Sequence, residues 1–193
     1  MAERQRDYDS TWLVIPLYNE GPVITEVIRG ALKSFPNIVC VDDGSTDSSA
    51  DLAERAGARV VRHAFNLGQG AALQTGIEFA ARQPGMEYLV TFDADGQHQV
   101  EDAMAMVDQA RNEDLAIIFG SRFLGDASPV GWSKRAVLKT AAAVTRWKTG
   151  LSLTDAHNGL RLLRKDAADL VQLRHDRMAH ASEIVAQLAA TNL

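Results

Sequence analysis

The stretch Tyr-Leu-Val-Thr-Phe-Asp-Ala-Asp-Gly-Gln-His at residues 88–98 joins a strand pattern to a pair of acids. Its first five residues are apolar, aromatic or β-branched, which is typical of a buried strand. Asp93 and Asp95 follow directly, and in an extended backbone their side chains point to the same side. Mg²⁺ commonly takes one or two carboxylates and fills its other positions with water and phosphate oxygens. Because ligands of an open α/β sheet bind beyond the carboxyl ends of the strands, this stretch predicts a metal–diphosphate site.

Three more apolar runs end in polar or glycine-bearing motifs. The first stops at residues 16–20, Pro-Leu-Tyr-Asn-Glu, and the second at residues 42–47, Asp-Asp-Gly-Ser-Thr-Asp. The third, at residues 58–62, leads into residues 66–70, Asn-Leu-Gly-Gln-Gly. A plainer interpretation of each is a turn with a helix N-cap, such as Ser45 or Thr46 before a helix near residue 47. Capping alone does not explain why acids recur where successive strands end.

Strand and helix patterns alternate along the chain, which predicts βαβ units and a mainly parallel central sheet with helices on both faces. The predicted strands are 12–16, 38–42, 58–62, 87–92, 115–119 and 158–164. The predicted helices are 20–34, 47–56, 69–82, 99–111, 133–149, 165–173 and 179–190. The glycine-bearing loop 120–132 is a natural lid over a bound substrate.

Length and composition bound the classes of protein that are possible. A chain of 193 residues with 46% hydrophobic and 23% charged residues suits a single globular domain. The net charge of −5 and the lack of a long basic run argue against nucleic acid as a partner. The chain contains no apolar stretch of about 20 residues, so the sequence predicts no transmembrane helix. The single cysteine, Cys40, lies in an apolar strand and is expected to be a buried, inert thiol.

Residues 1–10 are polar and charged, and they lack the apolar core of a signal peptide. We expect them to form a disordered tail before a single domain at residues 11–193. His63, His175 and His180 belong to no recognisable pattern and are expected at the surface or in helices.

Together these motifs resemble the family 2 glycosyltransferases of GT-A fold. Within that family they are similar to the dolichyl- and polyprenyl-phosphate mannose or glucose synthases. The resemblance covers about residues 11–190 and is carried by the motifs at residues 16–20, 41–47, 66–70, 93–98, 120–123 and 155–161. It implies a GT-A-like, Rossmann-related sandwich. Relatives of this type often carry more chain after the last helix, so the resemblance leaves open a longer protein with a further membrane-contacting part.

The resemblance also implies an activity: inverting transfer of a hexose from a nucleotide diphosphate sugar, of the GDP-mannose or UDP-glucose type, to a polyprenyl phosphate. The cofactor would be Mg²⁺ or Mn²⁺, and the protein would act at the cytoplasmic face of the membrane, in contact with its surface. The oligomeric state stays open.

Site residues follow from the same resemblance. The expected metal ligands are Asp95, Asp93 and Gln97, and Asp93 and Asp95 are also expected to be catalytic. The expected nucleotide-sugar contacts are Pro16, Tyr18, Glu20, Asp43, Gly68, Gly70, Asp93 and Ala94. Gln69 departs from the family pattern, since many relatives have a lysine there that could contact phosphate.

The acceptor side is expected to use Arg122, Arg135, His157, Asn158 and Arg161. A guanidinium can hold a phosphate through two hydrogen bonds, so the arginines are candidate phosphate ligands. Arg122 and Asp155 complete the set of catalytic candidates.

Three alternatives remain from the sequence. The acceptor could be a sugar hydroxyl of a glycan or lipid-linked glycan, with Asp155 as the base that such an acceptor needs. Against this, the chain lacks the Glu-Asp and Gln-x-x-Arg-Trp signatures of many hydroxyl-using relatives. A sugar-phosphate nucleotidyltransferase usually has a basic glycine-rich loop after its first strand. At that place this chain has residues 16–20, which contain no lysine or arginine. A noncatalytic nucleotide-sugar sensor would use the same acids for binding alone.

Overall fold

The computed structural model describes residues 8–96, 98–120, 159–173 and 179–190. The described strands are β1 Thr11–Leu17, β2 Asn37–Asp42, β3 Arg59–Arg62, β4 Tyr88–Thr91, β5 Ile117–Phe119 and β6 Arg161–Arg164. The described helices are α1 Gly21–Ala31, α2 Ser49–Ala56, α3 Gln69–Ala81, α4 Val100–Glu113, α5 Lys165–Ala168 and α6 Ala179–Ala189. The predicted lid and the helix at 133–149 lie almost wholly outside the described residues.

The described strands form one sheet in the order β3-β2-β1-β4-β6-β5. The pairs β2–β3, β1–β2 and β1–β4 are parallel. Helices cover both faces of the sheet. The prediction of an α/β fold with a mainly parallel sheet is therefore confirmed.

The sixth strand adds a feature that the sequence did not predict. β6 lies between β4 and β5 and runs antiparallel to both, with Leu89 and Ile117 opposite Leu163. After residues 121–158 the chain thus returns to a position inside the sheet, next to the edge strand β5. This insertion brings Gly159, just before β6, to the carboxyl end of β4.

The side chains of β1 show how the two faces are separated. Leu13, Ile15 and Leu17 pack into the core on the side of α1 and α4. Trp12 and Val14 pack into the core on the side of α3, α5 and α6. All five are at most 3% exposed, as expected for a central strand with both faces covered. Such a strand is rigid and holds the polar turn at its end in place.

The disordered tail was predicted to run over residues 1–10, but the chain is already packed against the core at Tyr8. Tyr8 is only 4% exposed, and its ring lies 5.0 Å from that of Phe35. Its hydroxyl donates to Asp108 on α4 at 3.0 Å. Packing of this aromatic ring orders the chain from Tyr8 onward, and residues 1–7 lie outside the described part.

Cys40 is fully buried in β2, as predicted. Burial raises the pKa of its thiol to about 12, because the apolar surroundings disfavour the thiolate. The thiolate is the reactive form of cysteine, so Cys40 is chemically inert in the folded protein.

Gly76 lies where α3 packs closely against β1 and β2. A Cβ atom at this position would lie 2.4 Å from Val14 Cγ1 and 3.2 Å from Val41 Cγ2. Both valines are buried, and β-branched side chains have little freedom to move aside. The helix can pack at this distance only because residue 76 has no side chain.

We therefore expect Gly76→Ala to destabilise the protein by about 1–3 kcal/mol, the usual cost of overpacking a core. The intrinsic preference of a helix for alanine, about 1 kcal/mol, opposes only part of this cost. Gly30→Ala on α1 is the matched control, since apart from its chain neighbours and its own helix backbone no described atom lies within 4 Å of its Cβ position. We expect Gly30→Ala to raise stability by roughly 0.5–1 kcal/mol. Urea denaturation of both variants measures this, and a Gly76→Ala variant as stable as wild type would contradict the packing argument.

Candidate functional site

A cavity of about 340 Å³ lies at the carboxyl edge of the parallel strands. Seven of the residues predicted to bind nucleotide sugar or metal line it: Pro16, Tyr18, Glu20, Asp43, Asp93, Ala94 and Asp95. They come together because β1, β2 and β4 run in the same direction and end at the same edge. Leu17, Asn66, Gln69 and Ala72 complete the described lining.

Asp93 and Asp95 both face this cavity, but not for the predicted reason. β4 ends at Thr91, and residues 94–96 form a turn rather than an extended strand. Gly96 has φ +75°, a left-handed conformation that favours glycine. The turn, and not the period of a strand, brings both carboxylates to the pocket, with Ala94 buried between them.

The two carboxylates have different surroundings. Asp93 is held by His98, whose Nε2 lies 2.8 Å from Asp93 Oδ2. The His98 ring in turn packs edge-on against the buried Phe92. Asp95 is exposed at the rim of the cavity. The site thus combines one carboxylate fixed by its neighbours with one that faces solvent, and both offer the hard oxygen ligands that Mg²⁺ and Mn²⁺ bind.

Gly159 packs directly against Asp93. A Cβ at Gly159 would lie 2.1 Å from Asp93 Oδ2, so any side chain there would collide with the carboxylate. The Thr91 hydroxyl donates to the Gly159 carbonyl and ties the end of β4 to the start of β6. Gly159, which belongs to the motif at residues 155–161, therefore contacts the acidic motif at residues 93–98.

The turns after β1 and β2 are joined by hydrogen bonds around Asn19. Its side-chain Oδ1 accepts from the Thr46 backbone amide at 2.9 Å, and its backbone amide donates to Ser45 Oγ at 3.0 Å. Asn19 has φ 55°, a conformation that asparagine tolerates better than most residues. These bonds hold Tyr18 and Glu20 in a fixed relation to the second motif.

This use of Ser45 and Thr46 corrects their predicted role as helix caps. α2 begins at Ser49, three residues later than Thr46, and Ser48 occupies the N-cap position. The Asp47 carboxylate accepts from the Ser49 amide at 2.9 Å and from the Gly21 amide at 3.2 Å. Its hydrogen bonds, foremost the one from the Ser49 hydroxyl, lower the pKa of Asp47. The residues that could have capped α2 instead connect the first two motifs.

Asp43 is the centre of a second set of hydrogen bonds. It is 3% exposed, and its oxygens accept from the amides of Leu67 at 2.9 Å and Gly68 at 2.8 Å. Gly68, with φ 96°, and Gly70, in the first turn of α3, flank the lining residue Gln69. Asp43 therefore shapes the glycine-bearing turn as well as lining the cavity.

His63 is the residue that the sequence analysis missed. It was expected at the surface or in a helix, with no partner pattern, but it follows β3 and its side chain is 9% exposed. Its ring lies between Asp43 and Thr75, at 2.8 Å and 3.0 Å. These partners are 20 and 12 residues away along the chain, so no short motif signals the arrangement.

The acceptor-side predictions are mostly outside the described residues. That is true of Arg122, Arg135, Asp155, His157 and Asn158, and of the predicted metal ligand Gln97. Arg161 is described: it begins β6, opposite Thr91 and Phe119, and is 1% exposed. Its role toward an acceptor stays a prediction.

Two further features concern metal and membrane. In the described part of the chain, no group of three or more His, Cys, Asp and Glu side chains is placed to hold a metal ion. Asp93 and Asp95 are two of the four acids that line the cavity, and Mg²⁺ sites on substrate phosphates commonly use one or two carboxylates. Of the helices described, none is both long and apolar enough to cross a bilayer.

Comparison with known proteins agrees with this architecture. The family model of glycosyl transferase family 2 matches residues 12–171. The chain is 29% identical over 194 residues to the UDP-N-acetylglucosamine–dolichyl-phosphate N-acetylglucosaminyltransferase of Methanococcus voltae, covering 89% of this chain and 77% of that protein. It is 31% identical over 179 residues to the polyprenol monophosphomannose synthase of Mycolicibacterium smegmatis, covering 87% and 66%.

A solved structure extends the comparison to the fold. Glucosyl-3-phosphoglycerate synthase from Mycobacterium tuberculosis, in complex with Mn²⁺ and UDP-glucose, superposes with a TM-score of 0.64 at 20% identity. The match covers 88% of this chain and 62% of that one, so the present chain spans about three fifths of the solved protein. Since the family model covers most of the chain and the fold agrees, the protein belongs to glycosyl transferase family 2.

Proposed function

We propose that this protein transfers a hexose from a nucleotide diphosphate sugar to a polyprenyl phosphate at the cytoplasmic face of the membrane. The observation that carries the donor half is the cavity at the strand ends, where Asp43, Asp93 and Asp95 face one space with Tyr18 and Glu20. The acceptor half is supported by the relatives named above, whose names include dolichyl phosphate and polyprenol.

The cavity residues have distinct tasks in this proposal. The Tyr18 ring, 47% exposed, can stack on the base or ribose, and Glu20 can accept hydrogen bonds from ribose hydroxyls or base N–H groups. Asp43 can accept a base N–H at Oδ2, which has a second lone pair beside the one that binds the Gly68 amide. The nucleotide would lie across the ends of β1 and β2, with its diphosphate toward the end of β4.

Asp95, with Asp93 beside it, would hold a Mg²⁺ or Mn²⁺ ion against the donor diphosphate. When bound, the ion would offset the charge that develops on the leaving nucleotide diphosphate. His98 fixes Asp93 from behind, so that carboxylate has little freedom to reorient.

The transfer itself requires little from the protein beyond position and charge. An oxygen of the acceptor phosphate forms a bond to the anomeric carbon, and the bond from that carbon to the donor diphosphate breaks. The electron pair leaves with the nucleotide diphosphate, and the configuration at the anomeric carbon inverts. A phosphate is already anionic at neutral pH, so no protein base is needed. The chain's contribution is to orient the two substrates in line and to stabilise the leaving group.

The test is transfer from radiolabelled GDP-mannose, UDP-glucose and UDP-N-acetylglucosamine to a polyprenyl phosphate in detergent. Reactions with Mg²⁺, with Mn²⁺ and with chelator run in parallel, and calorimetry measures binding of GDP and UDP under the same conditions. We expect a sugar–lipid phosphate product with one donor, and only when metal is present. Transfer to free or lipid-linked sugars alone would contradict the proposed acceptor and would make Asp155 the candidate base.

A further inference from the structure

We propose that His63 is a positioning residue for the donor site: it holds Asp43, and through Asp43 the turn at residues 66–69, in the form that binds the nucleotide. This inference rests on the proposed donor site, because the affinity it concerns is that for the nucleotide diphosphate. His63 does not line the described part of the cavity. It would act from behind the site, through the groups it contacts.

The position of His63 is fixed by the sheet. It is the first residue after β3, and its amide donates to the Asp42 carbonyl at 2.8 Å, which continues the pairing of β3 with β2. The ring therefore lies at the carboxyl end of β2, where Asp43 directly follows the last strand residue, Asp42. Both side chains are nearly buried, at 9% and 4% exposed.

The hydrogen bonds of the ring assign its tautomer. An ionised carboxylate only accepts hydrogen bonds, so His63 Nδ1 must carry the proton that it shares with Asp43 Oδ1 at 2.8 Å. Nε2 then bonds the Thr75 hydroxyl at 3.0 Å, and a hydroxyl can serve a ring nitrogen as donor or acceptor. Thr75 lies on α3, so the ring connects the end of β2 to the helix that packs on the sheet.

Asp43 passes this constraint to the turn. Its Oδ1 accepts from His63 and from the Leu67 amide, and its Oδ2 accepts from the Gly68 amide. On either side of these two amides lie Asn66 and Gln69, the side chains that the turn contributes to the cavity. The bond from His63 fixes the plane of the Asp43 carboxylate. Without that bond the carboxylate could rotate, and it would hold the amides of Leu67 and Gly68 less firmly.

The packing of Gly44 supports the same interpretation. A Cβ at Gly44 would lie 2.7 Å from the Phe65 carbonyl carbon and 2.8 Å from the Asn66 amide nitrogen. The backbone of the second motif thus presses against the backbone of the third. With the turn this close to Asp43, a small rotation of the carboxylate moves the residues that contact the nucleotide.

The experiment compares His63→Phe, which keeps a ring but removes both nitrogens, with His63→Gln, which keeps a side-chain donor. Thr75→Val removes only the second partner of the ring. Amide hydrogen exchange at Leu67 and Gly68, followed by NMR without nucleotide, reports on the turn itself. Calorimetry with GDP and UDP reports on affinity, and steady-state assays separate KM for the nucleotide sugar from kcat.

For His63→Phe we expect faster exchange at both amides, with nucleotide affinity and KM weakened about tenfold, the effect of losing a hydrogen bond to a charged group. kcat should change little, because His63 does not contact the reacting atoms. His63→Gln should restore most of the affinity, and Thr75→Val should show a weaker form of the same change in exchange and affinity.

Two results would overturn the inference. Unchanged exchange at Leu67 and Gly68 in His63→Phe would show that the ring does not hold the turn, whatever the protein binds. Faster exchange with unchanged nucleotide affinity would show that the turn does not set affinity. If wild type binds neither nucleotide, the proposed donor site is wrong, and the exchange data still decide whether His63 anchors the turn. Should His63→Phe fail to fold, Thr75→Val and His63→Gln decide by the same two measurements.

Discussion

Asp95→Ala is expected to remove metal-dependent binding of the nucleotide diphosphate while the fold stays intact. Asp95 is exposed at the rim of the cavity, and substitutions at exposed positions usually change stability by about 0.5 kcal/mol or less. Loss of one partner of a close charged contact costs about 2–5 kcal/mol, so affinity should fall roughly 30-fold or more.

Calorimetry with GDP and UDP, in Mn²⁺ and then in chelator, measures this effect. Wild type and variant should differ in Mn²⁺ and agree in chelator, because Asp95 would act on the phosphates only through the ion. Glu26→Ala is the control, since it removes an exposed acid from α1 away from the cavity lining. Equal affinity of Asp95→Ala and wild type in Mn²⁺ would remove Asp95 from the metal site.

Gly159→Ala is expected to reduce kcat/KM about 100-fold, which is the scale of loss from displacing a catalytic group by about 1 Å. The new methyl group would lie 2.1 Å from Asp93 Oδ2 and 2.6 Å from Asp93 Cγ. The carboxylate would have to leave its place beside His98 Nε2. Steady-state kinetics measure the loss, and thermal unfolding checks that the fold survives, with Gly30→Ala as the glycine control.

A double-mutant cycle tests whether Gly159 acts through Asp93. If it does, Gly159→Ala should have almost no further effect in a protein that already carries Asp93→Ala, because the collision partner is gone. Additive losses in the double variant would contradict the mechanism and indicate an independent role for this segment. Full activity of Gly159→Ala alone would mean that Asp93 need not stay where the structure has it.

The gathering of these residues at one cavity could be predicted because its signals are local. Each polar motif follows its own apolar run, and parallel strands with alternating helices must end at one edge of the sheet. That single rule brought Pro16, Tyr18, Asp43 and Asp95 to the same cavity. The rule concerns strand direction and not side-chain geometry, so it succeeded even where residues 94–96 form a turn instead of extending β4.

The contacts that hold these residues in place could not be predicted, because they join distant parts of the chain. Ser45 and Thr46 look like helix caps, yet they bond the turn at Asn19, 26 and 27 residues away. His63 looks like a surface histidine until β3 pairs with β2 and brings it to Asp43. A hydroxyl or an imidazole has several possible partners, and only the folded backbone selects one.

By itself, the sequence determined the α/β class, the mainly parallel sheet and the edge at which the acids gather, because these depend on side-chain periodicity over a few residues. The tertiary structure decided that β6 returns antiparallel between β4 and β5 and sets Gly159 against Asp93. It also decided that His63 supports Asp43. Thr91 and Gly159, for example, are 68 residues apart in the chain. Pairing at that distance leaves no local pattern, since it is selected by how whole faces of the sheet and helices pack.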